Sequence, residues 1–131
     1  MLRAVYEGVA FNSRWLLGNL EKFTGQRQNA IRIVGGGAKS SLWCQIYADV
    51  FDRTIVQVGN PICVNMLGAG LLAFVALGYL TVGDIRSRVE VANEFTPNSR
   101  NRELYDQRFT EFVRLYHNLK PIYARLNEAE E

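Results

Sequence analysis

Six consecutive residues, Gly35-Gly36-Gly37-Ala38-Lys39-Ser40, carry the chemistry most readily read from this 131-residue sequence. Glycine reaches positive φ and has no side chain to obstruct a ligand, so backbone N–H groups in such a run can face a phosphate. Lys39 adds a cation, and Ser40 adds a hydroxyl where a helix is expected to begin. Two nucleotide motifs can be held against the run. A P-loop requires G-x-x-x-x-G-K-[ST]; Lys39-Ser40 fits, but Ala38 stands for the second glycine and Ile33 for the first. A dinucleotide fingerprint requires G-x-G-x-x-G/A and an acid closing the next strand. Gly35 and Gly37 fit it, Ser40 does not, and Gly59-Asn60 replaces the acid. Two readings remain: a turn that approaches an adenosine through its glycines, and a plain tight turn packing helix against strand.

The other chemically capable residues form no second constellation. His117 is the only histidine and has no Cys or acid at ligand spacing, so it reads as a surface or cap residue. Cys44 and Cys63 lack neighbouring Cys or His and read as small buried apolar residues, not as a disulfide framework or metal site. Glu7 and Asp49 are separated by a strand and a turn, with no spacing that makes them a catalytic pair. Trp43 and Tyr47, one helical turn apart, read as core. Arg100, Arg102 and Arg108 alternate with Glu103 and Asp106 and read as a mixed solvated face. No catalytic residue and no metal ligand is assigned.

The elements that must position the glycine run follow from periodicity. Residues 2–24 read as a helix whose apolar face carries Val5, Val9, Leu16, Leu20 and Phe23; Phe11 and Trp15 widen it, and Gly25 sits where a left-handed cap belongs. Ala30–Val34 is a short β-branched strand that ends on the glycines. Leu42–Phe51 is a helix with Ser40 or Ser41 as N-cap, although no Glu or Gln completes a capping box. Thr54–Val58 is a second strand, parallel to the first through the crossover. Val64–Gly78 has no charge and many small residues; it is too short for a bilayer, which needs roughly 20 apolar residues, and predicts a helix buried all round. Residues 79–88 are a loop or short helical turn, and 89–95 are extended or irregular. From Arg100 an amphipathic helix carries Tyr105, Phe109, Phe112 and Tyr116, Pro121 suggests a fresh helix start, and 127–131 is a frayed acidic tail.

Composition bounds the class. Hydrophobic residues make up 48% and charged residues 21%, a globular mix, and a net charge of +2 offers nothing to a polyanion. Nucleic-acid and membrane partners are therefore not expected. The first residues show no leader pattern, and a cytoplasmic α/β domain is the expectation. Two parallel strands make a marginal sheet, and the apolar helices need more surface than it offers. The 131 residues are thus expected to be a single partial domain that self-associates or belongs to a longer chain.

Three segments, in order, resemble the C-terminal lobe of FGGY-family carbohydrate kinases, most of all its xylulokinase-like members. They are Arg3-Ala4-Val5-Tyr6-Glu7-Gly8-Val9-Ala10-Phe11-Asn12, Ile33-Val34-Gly35-Gly36-Gly37-Ala38-Lys39-Ser40 and Asn65-Met66-Leu67-Gly68-Ala69-Gly70. The run from Tyr105-Asp106 through Phe109, Phe112 and Leu115-Tyr116 to Leu119-Lys120-Pro121 is similar to the family's terminal helices.

The resemblance implies an incomplete actin-like (ribonuclease H-like) ATPase lobe, from a two-lobed enzyme that moves the γ-phosphate of Mg2+-ATP to a sugar hydroxyl. It places the adenosine and α-phosphate region at Gly36, Gly37 and Ser40, with Gly35, Ala38 and Lys39 completing the turn, and the adenine edge near Asn65 and Met66. Many members carry an acid near position 63, where this chain has Cys63. The family's N-terminal lobe, with its first phosphate turn, sugar site and general-base Asp, has no counterpart in these residues. The implication is a nucleotide-binding wall without turnover of its own; a non-catalytic module that binds nucleotide weakly or only self-associates is the alternative.

Overall fold

The computed structural model describes residues 1–127. The chain begins with a 23-residue helix, α1 (Leu2–Thr24), closed by Gly25 at φ 68° in the left-handed cap expected from sequence. Strand β1 (Ala30–Ile33) leads through a 3-10 turn at Gly36–Lys39 into α2 (Ser41–Phe51), and β2 (Thr54–Val58) returns. β1 and β2 are parallel, with Ile31 opposite Ile55 and Ile33 opposite Gln57. The strand–turn–helix–strand unit is therefore the one the sequence specifies.

The sheet differs from expectation in one respect. After α3 (Val64–Ala76) and the short α4 (Ile85–Arg88), Val91–Phe95 forms a third strand, β3, antiparallel to β2. β2 becomes the central strand of the order β1-β2-β3, and the sheet is mixed. The segment is short and does not alternate (Val-Ala-Asn-Glu-Phe), so its strand character comes from pairing with β2 rather than from its own pattern. Asn93 stands opposite Gln57 in this ladder.

The core lies between α1, α2, the sheet and α5 (Arg102–Asn127). Phe11, Cys44, Ile46, Val50, Ile55 and Tyr105 are among its buried members. The aromatic stripe of α5 acts as its spacing predicts: Tyr105, Phe109 and Phe112 gather around Phe11 with ring centroids 5.7–6.2 Å apart, and Tyr116 meets the edge of Trp15 at 5.0 Å.

Two helices correct the sequence reading. The buried side of α1 carries Glu7, Ala10 and Phe11, whereas Val5, Val9, Leu16, Leu20 and Phe23 are exposed. The helix has two apolar faces, and the one backed by aromatic partners on α5 is the one this chain covers. Likewise α3 buries only Leu71 and exposes Met66, Leu72 and Phe74. Burial all round is not achieved within these residues. Pro121 lies inside α5 and does not start a new helix. The bond it removes would have gone to the carbonyl of His117, an exposed residue, so the loss falls at the solvent side of the helix. Of the tail assigned to 127–131, only Asn127 is among the described residues, as the end of α5. Among them no helix is long and apolar enough to cross a membrane.

Candidate functional site

The glycine run is shaped residue by residue. Gly35 has φ 88° and ψ −175°, a region open to glycine alone, and its N–H donates to the Pro61 carbonyl at 2.7 Å. The turn then closes on itself: Ala38 N–H donates to Gly35 O, and Ser40 N–H to Gly37 O. The amides of Gly36 and Gly37 stand at the head of this 3-10 turn, ahead of any intrahelical acceptor. Gly36 is exposed, and a Cβ placed on it would meet nothing within 4 Å. Gly37 is different: its missing side chain is the space that the Trp43 ring occupies.

The turn is anchored from below at Ala38, which is fully buried. Its carbonyl accepts from the side-chain amide of Gln57 on β2 and, at 3.5 Å, from the Cys44 thiol on α2. The far side of the Gln57 amide accepts from Asn93 Nδ2 of β3 at 2.6 Å. Burial pushes the Cys44 thiol up from its ordinary range, so it stays a neutral donor. Ser40 caps α2: its Oγ accepts from Trp43 N–H at 3.3 Å. Lys39 is exposed beside it. An exposed glycine, a helix N-terminus and an exposed lysine thus lie together in one short turn, an arrangement suited to an anion or to a nucleotide's phosphate-proximal face.

Gly35 to Ser40 are therefore brought together as the sequence reading expects. Asn65 and Met66 are both exposed in the first turn of α3. Their link to the glycines runs through the backbone: the Gly35–Pro61 bond ties the turn to the loop that leads into α3. No hydrogen bond joins either side chain to the turn among the described residues. Met66 instead borders a shallow apolar hollow with Cys63, Leu67, Leu71 and Phe74.

The remaining candidates are structural. Glu7 is buried and accepts from Arg3 (2.9 Å), Tyr105 Oη (3.0 Å) and Arg108 (3.1 Å), which ties α1 to α5. Asp49 is buried and accepts from Gln45, Asn98 N–H and Asn101, pinning the β3–α5 connection to α2. Neither carboxylate bonds to the glycine turn. Arg102 and Arg108 do not form a merely solvated face: Arg102 grips Asp106, and Arg108 reaches Glu7. Trp43 and Tyr47 stack, and Tyr6 of α1 covers Trp43 at 4.6 Å. Cys44 is buried as expected; Cys63 is only half-buried. His117 is exposed against the edges of Trp15 and Tyr116.

Sequence reasoning missed Gln57 and Asn93. The available signal was a glutamine inside an otherwise apolar, β-branched strand. A polar side chain on an inward face needs a partner, and here the partner is the glycine turn itself.

Comparison with known proteins agrees with this architecture. The C-terminal domain of the FGGY family of carbohydrate kinases matches residues 1–77. The chain is 32% identical over 126 residues to the xylulose kinase of Staphylococcus epidermidis, covering 95% of this chain and 25% of that protein. It is 31% identical over 108 residues to glycerol kinase 2 of Saccharolobus solfataricus, covering 82% and 21%. Among solved structures, the ligand-bound xylulose kinase of Lactobacillus acidophilus superposes with a TM-score of 0.86 at 28% identity, over 95% of this chain and 25% of that one. The chain thus spans about a quarter of the relatives it matches. With the shared actin-like ATPase fold and the matched C-terminal domain, it belongs to the FGGY family of carbohydrate kinases.

Proposed function

We propose that this chain is the nucleotide-binding C-terminal portion of an ATP-dependent sugar kinase, and that Gly35 to Ser40 form the wall against which the nucleotide lies. The observation that carries the reading is the open backbone at Gly36 beside the N-terminus of α2. Gly36 and Gly37 offer amides to the adenosine and α-phosphate region. Lys39 offsets phosphate charge, and Asn65 and Met66 lie toward the adenine edge. The xylulose kinases among its relatives favour xylulose or a related pentulose as acceptor; the proposed location is the cytoplasm.

Phosphoryl transfer rests on positioning, charge neutralisation and a group that orients or deprotonates the nucleophile. In this chain the residues at the turn bind and orient. The two buried carboxylates, Glu7 and Asp49, are held in networks that do not bond to the turn. Mg2+ accompanies the nucleotide and, in this reading, is held mainly by parts of the parent enzyme outside these residues. The sugar site and catalytic base belong, in this reading, to the other lobe of the parent enzyme, and the chain alone is inactive.

Titration with ATP, followed by amide spectra, tests the reading. Shifts at Gly36, Gly37 and Ser40 are expected, with no sugar-dependent ADP release when xylulose and Mg2+ are added. Unmoved turn amides at millimolar ATP would reduce the glycines to packing devices. The exposed apolar face of α1 favours a second reading, in which the chain is a self-associating module. Sedimentation distinguishes the two: a stable homo-oligomer that ignores ATP supports the module.

A further inference from the structure

The anchoring of the glycine turn reaches further than one hydrogen bond. The Ala38 carbonyl can only accept, so the Gln57 amide must present its NH2 group to it. That choice leaves Gln57 Oε1 pointing toward β3, where Asn93 must present its own NH2 at 2.6 Å. Each amide thereby fixes the orientation of the next. Gln57 is 7% exposed and sits on the central strand, which cannot shift without disturbing both neighbours. From above, the same turn is pressed by the Trp43 ring at Gly37.

We infer that Asn93 and Gln57 form a side-chain relay that sets the position of the Gly35–Ser40 turn against α2, making Gln57 a positioning residue for the nucleotide. This rests on the nucleotide reading given above. The relay acts through Ala38: with its carbonyl held, the backbone of Gly36 and Gly37 just ahead of it is fixed in place. Without the Gln57 donor the carbonyl keeps only the weak thiol of Cys44. The turn then loosens at the residues that would face phosphate.

Variants of the full chain test the relay. Gln57→Leu keeps bulk and removes the donor. Ala38 and Ser40, whose N–H groups close the turn, should exchange their amide protons roughly tenfold faster, and the dissociation constant for ATP should rise roughly tenfold. Asn93→Ala, at an exposed position, should move both readouts in the same direction by less, so a folding failure of the first variant does not end the test. Gln57→Glu should behave like leucine at neutral pH and recover as acid protonates the new carboxyl, since a protonated acid donates where the amide did. Cys44, which shares the carbonyl, is neutral throughout that range. Val50→Ala in the core of α2 serves as the control for general loss of stability.

Turn exchange in both Gln57→Leu and Asn93→Ala that is no faster than in Val50→Ala would overturn the relay. A wild-type chain that does not respond to millimolar ATP would overturn the nucleotide reading instead. The two failures are distinct because amide exchange is read without nucleotide.

Discussion

The Trp43 ring lies so close over Gly37 that a Cβ on that glycine would sit 2.5 Å from Trp43 Cζ3. The ring has little freedom to retreat, because Tyr6 stacks on it at 4.6 Å and Tyr47 at 5.8 Å. Gly37→Ala is therefore expected to cost about 1–3 kcal/mol in a denaturation experiment and to change the tryptophan fluorescence. Gly36→Ala should be nearly silent in stability, since its Cβ enters open space. It should nonetheless weaken ATP binding by obstructing the approach. Equal destabilisation by the two substitutions would contradict this division of labour.

Glu7 joins α1 to α5 by accepting from Arg3, Tyr105 and Arg108. Glu7→Ala would leave the hydroxyl of Tyr105, itself 2% exposed, with one fewer partner in the core. A loss of about 1–3 kcal/mol is expected, because a buried polar group deprived of its partner carries its desolvation cost. Urea unfolding checks it, and an unchanged midpoint would refute it.

Acid should destabilise the chain through Glu21 and Asp106. The Gln28 backbone N–H and the Arg53 guanidinium hold the Glu21 carboxyl below the usual range. Burial pushes Asp106 up, but its bonds to Arg14 and Arg102 outweigh that and hold it low. In the unfolded chain both carboxyls titrate near pH ~4. Between the folded and unfolded values the unfolded chain binds more protons, so stability rises with pH there. The contribution is fully present above the unfolded values and disappears as pH falls through the folded ones. Urea midpoints from pH 6 to 3 should decline less steeply in Glu21→Gln than in wild type, and parallel curves would count against the assignment.

Alkylation should separate the two cysteines. Cys44 is completely buried and its thiol is pushed up by that burial, whereas Cys63 is half-buried. Since the thiolate is the nucleophile, iodoacetamide should label Cys63 first, with Cys44 modified only as the chain unfolds. Peptide mass spectrometry checks the order; early labelling of Cys44 would contradict the packing around Ala38.

Much of this was legible in the sequence because the signals were local. Glycine at 25 and 35 meets a demand for positive φ, serine at 40 meets a demand for an N-cap, and the 4-3-4 spacing of Tyr105, Phe109, Phe112 and Tyr116 defines one helical side. These are properties of a residue and its immediate neighbours. They delivered the strand–turn–helix–strand unit, the glycine run and the helix that closes the core.

What lay outside local reach was decided by pairing. β3 is a strand because β2 offers an edge, not because Val91–Phe95 reads as one. The stripe of Val5, Val9, Leu16, Leu20 and Phe23 has correct helical spacing, yet it faces outward, since spacing states that a face is apolar and not which surface meets it. The Gln57–Ala38 contact spans 19 residues and the Asn93–Gln57 contact 36. The sequence by itself determined where the turn lies and which residues build it. Only the tertiary structure decided which distant side chains hold that turn, because such hydrogen bonds exist only after the sheet has brought β2 and β3 side by side.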